Sequence, residues 1–261
     1  MPLFLQRALI SGILSALLCA SIGVFVVTRK MSFFANAVAH SSLAGVAIGY
    51  LIGASPFGSA VAFGALVGLG IGYLYRTSQL FIDTVIGIFL PSSMAFGVVL
   101  IGFVHGYKPD LLSYLFGDIL AVSTADMYAV IALSVIVFAF LIAFFHEIVM
   151  IALDEDWAKV KGIPVNLIDY TFFVILALII VVSTKTVGII LVSALVVIPP
   201  ASAMNVAKSF KWTMIYSIVF GILSAVLGIL FSYLFNISTG PTIVLTAFLI
   251  FLITIVIRRK R

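Results

Sequence analysis

His40 lies deep inside a long apolar run, and Asn36 precedes it by one helical turn. Four residues at about 100° each carry Asn36 only about 40° around the helix from His40, so both side chains share a face. An ionisable group inside a membrane-length run marks a functional position by default. Neutral imidazole is also the commonest ligand for zinc and its neighbours, which makes His40 a candidate transient metal ligand. Together Asn36 and His40 are candidates for lining a cavity. The competing reading is a structural histidine bonded to a carbonyl of a facing helix. The glycines that start at Gly45 lie about 140° away by the same arithmetic. The helix can therefore pack through one face and present His40 on another.

Other polar residues are less telling. His146-Glu147 opens like a zinc-protease signature, but position 150 is Met where the second His belongs. No phosphate-binding glycine loop and no Ser/His/Asp arrangement is apparent, so the chain is not expected to bind or hydrolyse ATP itself. Asp83 reads as an N-cap for Thr84–Ile88, with a gate for cytoplasmic metal release as the alternative. Asp110 and Asp118 lie in the longest outer loop (about 105–126) as candidate gate residues, and Asp118 is also a candidate for capping a helix or attracting cations.

The most polar stretch is Asp154-Glu155-Asp156-Trp157-Ala158-Lys159-Val160-Lys161-Gly162-Ile163-Pro164. It holds three of the 9 acidic residues, between long apolar runs. Asp154 is placed to cap a helix and Asp156 puts negative charge in its first turn. Gly162 and Pro164 then end it. The expected element is a helix of about two turns outside the bilayer, either a docking element or an ordinary solvated loop.

These residues sit on a scaffold that composition identifies. The chain is 64% hydrophobic and 9% charged, against about 25% charged in soluble domains. Apolar runs near 20 residues recur, enough to cross about 30 Å of hydrocarbon. Alternating strands of an outer-membrane barrel are absent. The expected fold is therefore all-α, a polytopic helical bundle forming a single transmembrane domain over 1–261. Spans are expected at about 8–27, 34–53, 57–75, 82–104, 127–150, 170–184, 187–207, 213–235 and 241–257. The first run is too long for a signal-peptide core and is counted as retained. Thr184-Lys185-Thr186 leaves the sixth span short and Pro199-Pro200 interrupts the seventh, so eight or nine spans are both open. Cys19 is the single cysteine, which excludes a disulfide within the chain.

Basic clusters at Arg29-Lys30, Arg76, Lys159/Lys161, Lys208/Lys211 and Arg258–Arg261 fall on one side if the N-terminus is outside. The positive-inside rule makes that side the cytoplasm, and the island at 154–164 lies there. The net charge of +5 thus reports topology and gives no sign of a nucleic-acid partner. Gly45, Gly49 and Gly53 in the second span, and Gly64, Gly68 and Gly72 in the third, form ridges on which helix backbones approach closely.

Four stretches resemble the permease subunits of zinc/manganese/iron-type ABC importers, most closely the bacterial high-affinity zinc permeases. They are Met31-Ser32-Phe33-Phe34 leading to Ala39–Ala47; Ile82-Asp83-Thr84 with Gly87-Ile88; Asp110–Val122; and Val187-Gly188 with Leu191–Leu195 and Ile198-Pro199. They run in family order over nearly the whole chain. The resemblance implies a type II importer permease in the bacterial cytoplasmic membrane, embedded in lipid. A second copy of itself, cytoplasmic ATP-binding subunits and an extracytoplasmic metal-binding protein would be its partners. ATP hydrolysis would belong to the separate subunits, and the chain would bind no cofactor of its own. About 153–165 would be the coupling segment, with Asp154, Glu155, Asp156, Trp157, Ala158 and Gly162 at the ATPase contact. Many relatives carry Asp where this chain has Asn36, and the change removes a hard anionic ligand. Asn36 and His40 would then form a weak, transient site, as a conduit requires.

The function expected is thus ATP-driven import of a divalent metal, Zn2+ before manganese or iron. The rival is a secondary transporter driven by an ion gradient, with His40 as proton relay. That rival calls for more charge at the bundle centre than one histidine supplies. An intramembrane enzyme lacks a second catalytic partner.

Overall fold

The computed structural model describes residues 3–104 and 124–259, with eleven helices and no strand among the described residues. In chain order they are α1 (Leu3–Thr28), α2 (Phe34–Ile52), α3 (Pro56–Thr77), α4 (Ile82–Phe103), α5 (Thr124–Ala143) and α6 (Phe145–Leu153). There follow α7 (Glu155–Val160), α8 (Val165–Val187), α9 (Ile189–Val206), α10 (Phe210–Phe235) and α11 (Thr239–Arg259). Among the described residues, 9 helices, all but α6 and α7, are long and apolar enough to cross a membrane.

The helices differ from expectation at four places. The fifth span, expected to run to 150, breaks at Phe144, which leaves helical geometry at φ −116. No Gly or Pro marks the break, and hydrogen bonds continue across it, from the Phe144 N–H to the Phe140 carbonyl and from the Ile148 N–H to the Phe144 carbonyl, each at 2.9 Å. The sixth span is not short. It begins at Val165, so Asn166 and Asp169 are helical and α8 has 23 residues. The seventh is continuous through Pro199-Pro200, separated from α8 by Gly188 at φ 87. Asp83 is not an N-cap: Phe81 takes that position and Asp83 lies exposed in the first turn of α4.

Contacts group the chain into two compact units. In the unit formed by Thr28–Asp110 and Val137–Val182, α2 packs against α3 and α4. The glycine ridges explain how, and they serve different partners. A Cβ on Gly45 would sit 2.6 Å from the Ala60 Cα, and one on Gly49 2.7 Å from the Pro56 Cα, so this ridge seats α3. A Cβ on Gly68 would meet the Phe173 carbonyl at 2.8 Å, and one on Gly72 the Phe173 ring at 2.7 Å, so the second ridge seats α8. Gly53 belongs to neither contact. It closes α2 in left-handed geometry at φ 68, with no atom within 4 Å of a built Cβ.

In the unit formed by Met1–Val27, Leu111–Ile136 and Ser183–Arg261, α9, α10 and α11 pack on one another. Gly228 of α10 meets Ile243 of α11 backbone to backbone, where a Cβ would fall 2.5 Å from the Ile243 Cα. The Ser217 hydroxyl donates to the Ala20 carbonyl at 2.7 Å, tying α10 to α1. Other buried hydroxyls bond within their own helix, as Ser41 does to the Ala37 carbonyl and Thr246 to that of Thr242. Such bonds satisfy polar groups where no water is available.

Candidate functional site

The polar island folds as the sequence reading expects. Asp154 Oδ1 accepts the Trp157 N–H at 3.0 Å and caps α7. Glu155 and Asp156 occupy its first turn and Lys159 its last, the order that complements the helix dipole. Gly162, at φ +77, donates to the Lys159 carbonyl at 2.9 Å and turns the chain into Pro164. Ala158 is fully buried and seats the helix. Trp157 and Val160, three residues apart, are 56% and 78% exposed. Beside them a pocket of about 530 Å³ is lined by Lys159, Gly162, Ile163, Pro164, Val165, Asn166 and Leu167. No candidate span includes α7.

Behind α7 stands a charged cluster that the sequence reading missed. Asp169, in the first turns of α8, is 1% exposed. Arg29, just past α1, reaches both its carboxylate oxygens from one nitrogen, at 2.7 and 2.8 Å. Arg76, at the end of α3, donates to Asp169 Oδ2 and, from its other terminal nitrogen, to Glu155 Oε1 of α7 at 2.5 Å. Lys159 adds a second cation to Glu155 at 2.8 Å. The Arg29 guanidinium also lies 5.3 Å from the Phe172 ring centre. Partial burial pushes the Glu155 carboxyl up, but the bonds and charges of Lys159 and Arg76 outweigh it and hold it below the usual range. Hydrogen bonds to Glu155 and Asp156 raise the Lys159 ammonium. Arg29 and Arg76 entered the sequence reading as topology markers only, and Asp169 as loop. Their pairing spans 140 residues, which spacing does not reveal. An acidic residue at the mouth of an apolar run was the available signal.

His40 and Asn36 share α2, one turn apart, and both are half-buried. The Nδ1 of His40 is itself buried and finds no hydrogen-bond partner among the described residues. No carbonyl among them therefore holds that nitrogen. Asn36 is engaged in an interaction. No group of three or more His, Cys, Asp or Glu side chains able to hold a metal occurs among the described residues. His40 thus stands outside any built cage. Asp83 is exposed at the start of α4. Asp110 and Asp118 lie outside the described residues.

Among the described residues, nine membrane-length helices with a short capped helix between two of them define a polytopic membrane protein. Residues 1–258 match the ABC 3 transport family, and the chain belongs to that family. It is 36% identical to the manganese transport system membrane protein MntC of Listeria monocytogenes, over 99% of this chain and 92% of that protein. It is 31% identical to the high-affinity zinc uptake system membrane protein ZnuB of Haemophilus influenzae, over 97% of each. Among solved structures, PsaBC from Streptococcus pneumoniae in complex with Fab aligns at TM-score 0.84 and 37% identity, covering 97% of this chain and 91% of that one. A metal-chelate-type ABC transporter in an inward-facing conformation shares the fold at TM-score 0.75 and 17% identity, over 96% and 84% of the two chains. The protein is a multi-pass permease of the bacterial cytoplasmic membrane.

Proposed function

We propose that the chain is the permease subunit of an ATP-driven importer of a divalent transition metal, taking the ion from an extracytoplasmic binding protein. Two copies form the pathway, and α7 docks on a cytoplasmic ATPase. The observation that carries this reading is the family match over residues 1–258, with relatives named for manganese and for zinc transport. The exposed Trp157 edge supports the docking part. Buried aromatic anchors dominate protein contacts, so Trp157→Ala is expected to weaken ATPase binding by about 2 kcal/mol or more, roughly thirtyfold. Co-purification of permease and ATPase at graded dilution measures this. Undiminished capture of the ATPase by the variant would remove α7 from the contact.

Zinc is the cargo favoured by the donor chemistry. An imidazole beside a neutral amide offers nitrogen without a hard anion, and nitrogen ligands prefer zinc to manganese or iron. Manganese is the second reading, because the manganese-named relative is the more similar of the two. His40→Gln is expected to lower initial zinc uptake about tenfold, the scale on which altered metal surroundings are felt, while complex assembly persists. Asn36→Asp is expected to raise manganese uptake relative to zinc, since a carboxylate suits the harder ion. The assay is initial uptake of each metal by the reconstituted complex. Wild-type rates for both metals in both variants would take His40 and Asn36 off the pathway.

A further inference from the structure

We propose that Arg76 is a positioning residue for coupling: its guanidinium is the link through which displacement of α7 reaches the membrane helices α3 and α8. The proposal rests on the reading that α7 docks an ATPase, and adds where the force goes next.

The geometry has four parts. Glu155 is the first residue of α7, and its bond to Arg76 is, among the described residues, the side-chain hydrogen bond from α7 to a membrane-spanning helix. The other terminal nitrogen of Arg76 holds Asp169, which is buried in α8. One planar group therefore touches a carboxylate on each side at a fixed angle, a task the single ammonium of lysine performs poorly. Behind it α3 and α8 are locked together, because Gly68 and Gly72 leave no room between α3 and Phe173. A pull on Glu155 is thus delivered to a rigid pair of helices and not to one flexible side chain.

Charge accounting lets a loss of coupling be told apart from a loss of stability. Without Arg76, Asp169 keeps Arg29 and Glu155 keeps Lys159. Neither acid is left alone, so the penalty for an unpaired buried charge does not arise. Removing Arg76 cuts the connection while sparing the two anions it connects. Its Nε is buried with no acceptor among the described residues. The guanidinium thus has a further N–H to offer a carboxylate that shifts toward it, so the link can tighten as α7 moves.

The test uses the full permease co-purified with its ATPase, in proteoliposomes, with zinc and manganese as cargo. The readout is metal transported per ATP hydrolysed, beside complex yield and thermal midpoint. For Arg76→Met the complex is expected to assemble, hydrolyse ATP and transport roughly tenfold less metal per ATP, within the range of couplings between contacting residues. Arg76→Lys should fall between this variant and wild type. Glu155→Met removes the acceptor and so breaks the same link from its more exposed end, and serves if Arg76→Met does not assemble. The double variant should be no worse than the worse single one. An unchanged metal-to-ATP ratio in the assembled variants, or additive losses in the double variant, overturns the proposal. Failure of the docking reading looks different: the Trp157→Ala complex would retain its ATPase whatever Arg76 does.

Discussion

Asp169→Asn is expected to cost about 3–5 kcal/mol of stability, the scale of breaking a buried ion pair from one side. The carboxylate is 1% exposed, and two guanidiniums, 9% and 10% exposed, converge on it. Asparagine keeps the shape but leaves Arg29 without its carboxylate and Arg76 with only Glu155. Cations cannot shed a proton to escape, because arginine stays charged throughout the accessible pH range. The loss should appear as a lower thermal midpoint in detergent and a smaller monodisperse fraction. The matching control is Arg29→Met with Arg76→Met and Asp169→Leu. Replacing a buried charged triad by apolar residues is often neutral or better, so this triple variant should recover most of the folded yield while remaining uncoupled. An Asp169→Asn protein as stable as wild type would mean that the cluster carries little of the fold.

That cluster also shows what a linear sequence hides. The apolar spans, though not their exact number, and the short capped helix at Asp154 were legible because each rests on local physics: an apolar run long enough to cross hydrocarbon, an acid before a first turn, a glycine after a last one. Asp169 followed the opposite logic. As an acid at the edge of an apolar run it read as loop, and its burial is compensated by Arg29 and Arg76, 140 and 93 residues away. The break at Phe144 was equally silent, since the segment holds no Gly or Pro to mark it. The glycine ridges were visible as ridges, but that one seats α3 and the other α8 depends on which neighbours arrive. At His40 the sequence supplied residue type and face; the unpartnered Nδ1 is a property of the surroundings, which no spacing rule encodes.

Gly23 is the sharpest instance, and Gly23→Ala is expected to destabilise the protein by about 1–3 kcal/mol, the usual cost of overpacking a tight core. Pro200 has no N–H, so the Val196 carbonyl one turn earlier in α9 loses its helical donor. The backbone of α1 fills that place. A Cβ on Gly23 would fall 2.2 Å from the Val196 oxygen and 2.9 Å from the Pro200 Cγ. A Gly23 Cα hydrogen therefore points at the freed carbonyl in a weak C–H···O contact, which glycine alone permits. Both obstacles belong to a buried helix, and one is backbone, so no rotamer change relieves them. Alanine ordinarily favours a helix interior over glycine by up to about 1 kcal/mol, which makes a loss here the more diagnostic. Gly58→Ala, whose Cβ would meet nothing closer than 3.6 Å, is the control and should be tolerated. Pro200→Ala restores the missing N–H and removes the Cγ, so combining it with Gly23→Ala should return part of the stability. Thermal midpoints of the four proteins in detergent decide the matter: equal values for wild type and Gly23→Ala would show that α1 and α9 do not meet backbone to backbone at this point.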